Sequence, residues 1–344
     1  MVNSTISRGQ GLYNTAASTS LIELGIFQQA LREAIAVQND PVQKDEWTAF
    51  LNLSVSSAIQ PLSNATRDAE LPLDRLSIGS AMTYQQEANH DGGLLGAIEA
   101  LRQSVLLQPR NADGSLWYFA NPANLSYYSN LSYLDGMYSY APFAVLYDAV
   151  FQGQNENAHL DALFGPAAAL EQLQILYDVC KQPSGLLVHG FDASKAHSCT
   201  FNNLYNDIAS AQIEASDRSL RETGKYGVWQ VVDQPGNRRN FVEASASCMT
   251  VYSLLRGVRL GFIEDDSLRK RAVEAAQGIY QGVVESFVSE SSNGTLSLNG
   301  TSSVASLSGE SVDYEYYVSR PTVLNSLIGT SAFILASLEI ERSS

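Results

Sequence analysis

The chain is poor in the residues that hold metals, redox centres and disulfide frameworks: its 344 residues include three cysteines and four histidines. Cys180, Cys199 and Cys248 are odd in number and form no CxxC pair, and His90, His159, His189 and His197 lack zinc-ligand spacing. No metal or cofactor is therefore expected. Positive charge is scarce as well, 21 Lys and Arg against 36 Asp and Glu, for a net charge of −15. No stretch collects enough cations to neutralise several phosphates, which argues against nucleic acid and anionic membrane surfaces as partners. Long apolar runs are missing too. The best, 321–338, is interrupted by Asn325, Ser326, Thr330, Ser331 and Ser337, short of the about 18 residues a membrane span requires. GxSxG, HExxH, P-loop and GxGxxG motifs are all absent.

What is present is apolar material, 45% of residues, with only 17% charged, enough for a large core. No linker divides the chain. The Ser/Gly stretch 289–311 is followed by only one or two helices, so residues 1–344 are expected to form one domain. Seven N-x-S/T sequons, at Asn3, Asn52, Asn64, Asn124, Asn130, Asn293 and Asn299, mark a secreted eukaryotic glycoprotein as the expectation. The start MVNSTISRGQ has no apolar h-region, so a signal peptide is expected to be missing from this chain.

Apolar spacing is helical nearly throughout. Ser20 and Glu23 read as a capping box ahead of Leu24, Phe27, Leu31 and Ile35, which share one helix face. The pattern returns at Leu94, Ile98, Leu101 and Val105, and at Leu170, Leu173, Leu176 and Cys180. It continues at Met249, Tyr252 and Leu255, from Leu268 to Phe287, and at Val323, Leu327, Phe333 and Leu338. Short strand-like runs occur only near Leu116–Phe119, Leu186–His189 and Val228–Val232. About ten or eleven helices, paired every ~50–60 residues, suit a toroid of helical hairpins, an all-α fold.

Three segments carry polar groups that a helix core would not choose. Asp74 in LDRLSIG stands where a helix opens, and by itself reads as an N-cap. Asp135 in SYLDGMYSYAPF could cap a helix as well. Tyr127, Tyr128, Tyr133, Tyr138 and Tyr140 around it offer a surface for stacking on a sugar ring. A carboxyl among apolar rings keeps a proton near neutral pH and can act as a general acid. His189 in LLVHGFD is followed by Gly190, which would let the backbone approach a ligand; alone, it reads as a structural histidine.

In order and spacing these segments, with ALRQSVLLQPRNADGSLWY, GVWQVVDQPGNRRNFVEASASCM, LLRGVRLGFI and DYEYYVS, resemble glycoside hydrolase family 105, the unsaturated rhamnogalacturonyl hydrolases, in its secreted fungal form. The resemblance implies an (α/α)6 barrel. It also implies removal of a Δ4,5-unsaturated galacturonic acid from the non-reducing end of pectin-derived oligosaccharides, by protonation of a vinyl ether and addition of water. On that likeness Asp135 is the general acid/base, Asp74 hydrogen-bonds sugar hydroxyls, and His189 lines the site and binds substrate; Tyr133 and Tyr138 are expected to bind substrate from the aromatic surface they offer.

The likeness breaks after Ala196. Where the family carries a Trp/Arg segment that holds the substrate carboxylate, this chain has His197-Ser198-Cys199-Thr200-Phe201-Asn202-Asn203, and no Trp stands between Trp117 and Trp229. Arg218 and Arg221 lie nearby in a setting that does not match. This reads as a lost segment, so an incomplete or distorted toroid is expected. The competing functional expectations are an inactive relative that binds acidic sugars and a helical scaffold without a pocket.

Overall fold

In the computed structural model the described residues are all but 15–18, 90, 121–128, 153–161, 194–203, 306–312 and 344. They contain thirteen α-helices and only short strands. The surplus over the sequence expectation comes from α1 (Val2–Ser7), α4 (Ala65–Asp68) and α12 (Tyr314–Val318), which are too short to show an apolar period.

The longer helices fall into two layers. One run consists of α2 (Ser20–Val37), α5 (Arg75–Asn89), α7 (Leu134–Tyr147), α10 (Ala244–Arg259) and α13 (Leu327–Ser343). Within it α10 packs on α13, α13 on α2, α2 on α5 and α5 on α7. Outside it α3 (Pro41–Ser56) covers α2, α6 (Gly92–Leu106) covers α5, α8 (Pro166–Cys180) covers α7, and α11 (Asp266–Phe287) covers α10. α9 (Leu204–Thr223) packs on α11. Inner helix followed by outer helix, repeated around an axis, is the (α/α)6 toroid. Among the described residues no helix stands in the inner run between α7 and α10. The segment after Ala196, where the sequence departs from the family, lies outside the described residues.

Local chemistry explains the helix starts. Asp40, Asp91 and Asp265 cap α3, α6 and α11 through backbone N–H groups of the first turn, and Pro41 and Pro166 stand at first-turn positions where no N–H is needed. The capping box expected at Ser20 is displaced: α2 begins at Ser20, and Thr19 reaches Glu23 through its hydroxyl at 2.5 Å. The burial faces also shift in places. Leu170 and Met249 are exposed, because α8 buries Ala168, Ala169 and Gln172, and α10 buries Cys248, Val251 and Leu254. Val323 belongs to a strand, not to the last helix.

Two apolar clusters result, one around α5, α6 and α7, the other around α10, α11 and α13, and α2 contributes to both. Strands form where the sequence did not place them: β1 (Leu131–Tyr133) with β2 (Gly190–Asp192), β3 (Val288–Glu290) with β4 (Leu296–Leu298), and β5 (Thr301–Ser302) with β6 (Thr322–Val323). The expected runs supply only single bridges, such as Arg110 to Leu116. Cys180 and Cys248 are buried free thiols, and burial raises the pKa of both.

Candidate active site

α5 and α7 present their N-terminal ends side by side, with Asp74 just before the first and Asp135 in the first turn of the second. Backbone pairing assembles the rest. Leu73 N–H donates to Tyr118 O at 3.1 Å, and Tyr118 N–H donates to Leu131 O at 2.9 Å. β1 then pairs antiparallel with β2, matching Tyr133 to Gly190, and Leu134 N–H donates to His189 O at 3.0 Å. Four segments distant in sequence are thereby fixed on one another: 73–74, 118, 131–135 and 189–190.

Glycine is required at two of these junctions. A Cβ on Gly190 would lie 2.4 Å from Ser132 O and 2.4 Å from Tyr133 Cδ1, so the glycine serves the strand pairing and not the ligand approach expected from sequence. A Cβ on Gly136 would lie 2.8 Å from Leu73 Cδ1.

The two carboxyls differ sharply in environment. Asp74 is buried, and its pKa is pushed up to about 7, first by loss of hydration and further by the charge of Asp135; the hydrogen bond from Tyr118 and the charge of Arg75 oppose the rise. Tyr118 donates its hydroxyl to Asp74 Oδ2 at 2.8 Å, and Oδ1 is buried without a hydrogen-bond partner. The carboxyl is thus not spent as a helix cap. Asp135 is half exposed and meets His189 Nε2 at 3.2 Å. That hydrogen bond raises the His189 pKa, against the effect of burial. The proton-holding carboxyl is therefore Asp74, which corrects the expectation of apolar rings enclosing Asp135.

The tyrosines sort differently from the sequence reading. Tyr133 is buried, edge-on between Tyr118 and His189 at 5.1 and 5.2 Å, so it props the site from behind and offers no open face. Tyr140 is a core residue whose hydroxyl donates to Leu163 O. Tyr138 points down the lumen, one turn inward from Asp135, and donates to Gln29 Oε1 at 2.7 Å. Tyr127 and Tyr128 lie outside the described residues. Two residues escaped the sequence reading. Tyr118 is 44 positions from its partner Asp74, and only the segment LWY hinted at it. Tyr317, in the DYEYYVS segment, is close enough to Asp135 for that charge, after burial, to raise its pKa.

Beneath the site lies Arg75, fully buried and held without a carboxylate partner in ion-pair range among the described residues. It donates to Ser104 Oγ, Ser104 O, Leu71 O, Pro72 O and Gln108 Oε1, while Gln108 Nε2 donates to Trp117 O. Arg75 thereby braces the loops carrying Asp74 and Tyr118, and burial lowers its own pKa to about 10. Glu243, at the same end of α10, is consumed as a cap: it accepts from Ala246 N, Ser245 Oγ and Ser302 N. Arg218 and Arg221 are exposed on α9 and paired with Glu222 and Glu214 of that helix.

Residues 200–344 match the family model of Glycosyl Hydrolase Family 88. Protein Atu3128 of Agrobacterium fabrum is 27% identical over 208 residues, spanning 50% of this chain and 88% of that protein; the 24.9 kDa protein in the picA locus of Rhizobium radiobacter matches to the same extent. A glycoside hydrolase of family 105 from C. acetobutylicum has a similar fold, with a TM-score of 0.71 at 23% identity over 99% of this chain and 98% of that one. So has the unsaturated glucuronyl hydrolase of Bacillus sp. GL1, with a TM-score of 0.66 at 11% identity over 99% and 94%. The fold is therefore the (α/α)6 barrel that these structures share. In sequence, the resemblance to Glycosyl Hydrolase Family 88 is confined to residues 200–344, less than half of the chain.

Proposed function

We propose that the protein hydrolyses a Δ4,5-unsaturated uronic acid from the non-reducing end of an oligosaccharide, with pectin-derived rhamnogalacturonan fragments as substrate. The observation that carries this reading is a buried carboxyl with a pKa raised to about 7 and one free oxygen, Asp74, beside a half-exposed carboxyl paired to a histidine, Asp135. Asp135, which faces the cleft, gives C4 of the vinyl ether the proton that it shares with His189, and water adds to C5. The water's remaining proton returns to Asp135, so one carboxyl completes the cycle as acid and then base. The hemiketal formed at C5 opens and releases the sugar. Asp74 stays neutral and donates from its free oxygen to a sugar hydroxyl, and His189 holds Asp135 in place. Tyr133 and Tyr118 keep that pair oriented.

The test is loss of absorbance of the conjugated double bond on incubation with an unsaturated rhamnogalacturonan disaccharide. Asp135→Asn should abolish it, and near-native turnover by that variant would refute the assignment. The rate should also fall as pH rises through about 7, where Asp74 ionises and its donor is lost. Asp74→Asn retains a donor and should flatten that alkaline limb at a lower plateau. A second reading, binding of acidic sugars without turnover, is favoured by one observation: Arg218 and Arg221 face solvent on α9 and cannot replace the family's carboxylate-binding arginine. Retained binding with an inert wild type would select it.

We further read the chain as one domain, secreted and glycosylated. Asn3, Asn52, Asn64, Asn130, Asn293 and Asn299 are all exposed, which supports modification, and Asn124 lies outside the described residues. Expression through a eukaryotic secretory pathway should give a product whose mass drops on treatment with an N-glycosidase; an unchanged mass would refute this.

A further inference from the structure

The lumen of the toroid contains a second cavity, of about 260 Å³, that includes neither aspartate. It is lined along α2 by Gly25, Gln29 and Arg32, along α5 by Ser77, Ser80 and Tyr84, along α7 by Tyr138, Pro142 and Leu146, and along α10 by Tyr252 and Arg256. At 1.5 Å of rise per residue, the stretch from Asp74 to Tyr84 on α5 and that from Asp135 to Leu146 on α7 both put its far end about 15 Å inward of the carboxyl pair. One sugar ring in contact with Asp135 does not reach that depth.

Its charge is unusual for this protein. Arg256 is paired with Glu33 at 2.7 Å, and Arg259 and Arg342 with Glu339. Arg32 forms no ion pair among the described residues; its guanidinium sits over the Tyr84 ring at 3.9 Å, partly desolvated. Ser80 Oγ, on the same wall, is buried with no hydrogen-bond partner. Three other hydroxyls of the lining are committed: Tyr138 to Gln29, Tyr252 to Glu33, and Ser77 to backbone carbonyls. A single unpaired cation beside a free hydroxyl and tyrosine rings fits one carboxylate on one polar ring. The carboxylate of Glu33 nearby disfavours a dianion such as phosphate. The volume is below the about 300–1,000 Å³ of pockets for drug-sized ligands, which restricts the occupant to a single ring.

We propose that this cavity is a binding site for a free monomeric uronate, with Arg32 receiving its carboxylate and Ser80 donating to it. The site stands apart from the proposed hydrolysis, because its ligand need not be unsaturated and does not touch Asp74 or Asp135.

Calorimetric titration with saturated D-galacturonate, which the proposed reaction cannot consume, tests it. Wild type and Asp135→Asn should bind galacturonate equally, and D-galactose should not bind to either. Arg32→Met should weaken binding roughly tenfold or more, and Arg32→Lys should recover part of it, as expected for a charge-assisted contact. Ser80→Ala, a smaller change that leaves the arginine in place, should weaken binding several-fold. The proposal is overturned if wild type does not bind galacturonate, if galactose binds equally well, if both Arg32→Met and Ser80→Ala bind as wild type does, or if Asp135→Asn loses binding. The disaccharide assay on the same wild-type sample reports on the hydrolase reading separately.

Discussion

Burial sets Asp74 against the stability of the fold. Its carboxyl has a pKa of about 7 in the folded protein, well above its ordinary value, so folding favours the protonated form. The destabilisation is absent below pH ~4, grows as pH rises toward 7, and is constant above that, at about 4 kcal/mol. Asp74→Asn should therefore raise the melting temperature at pH 8 and leave it almost unchanged at pH 4. Thermal unfolding at the two pH values checks this; equal shifts would mean that Asp74 is ionised and accommodated in the fold. The same substitution should lower turnover, the expected exchange of stability against activity at a strained site. Of the residues gathered here, Asp74, Asp135 and His189 were readable from their segments. Tyr118 was not, because a contact across 44 positions leaves no local pattern.

At the scale of elements, the site depends on a ladder only three residues long. β1 and β2 hold His189 against Asp135, and Gly190 has no room for a side chain. Gly190→Ala should force the strands apart, costing roughly 1–3 kcal/mol of stability and displacing His189, with a larger proportional loss in kcat/KM than in melting temperature. Side-by-side kinetics and thermal unfolding measure this, and wild-type kcat/KM would show that the ladder does not position the histidine. Arg75 works at the same scale. Arg75→Met leaves Gln108, Ser104 and two loop carbonyls unpaired in a buried setting, each at about 1–3 kcal/mol, so urea unfolding should show a loss of several kcal/mol. A loss under about 1 kcal/mol would mean that the loops find other partners.

Across the whole molecule, ion pairs tie the ring together on the side away from the site. Arg256 and Arg342 meet Glu33, and Arg259 and Arg342 meet Glu339, linking α2, α10 and α13. Glu339 is buried, which raises its pKa, but hydrogen bonds from Arg259 and Arg342 outweigh burial and hold it below the usual value. A lowered carboxyl pKa stabilises the fold above the unfolded value, and the stabilisation disappears as pH falls through the folded one. Glu339→Gln should cost about 3 kcal/mol at pH 7, and less as the pH drops below ~4. Urea unfolding across that range tests it, and a cost independent of pH would point to packing in place of charge.

The sequence by itself determined the helical class, the pairing of helices and three residues that the fold brings together, since helix periodicity, caps and short motifs are local and survive without tertiary information. Burial faces were less secure: Leu170 and Met249 satisfy a helical period yet face outward, because period fixes a stripe and only the neighbouring helix decides which stripe is covered. The strands were misplaced for a related reason. Segments of two or three residues have almost no intrinsic preference and pair only when the chain brings a partner alongside. The assignment of protons was decided by tertiary structure alone. Asp74 and Asp135 both stand at helix starts within short motifs, and nothing in either motif shows that one loses its water while the other keeps half of its surface open. Hydration depends on everything packed around a group, and for Asp74 that means its neighbours Leu73 and the buried Arg75 together with Tyr118, brought from another part of the chain.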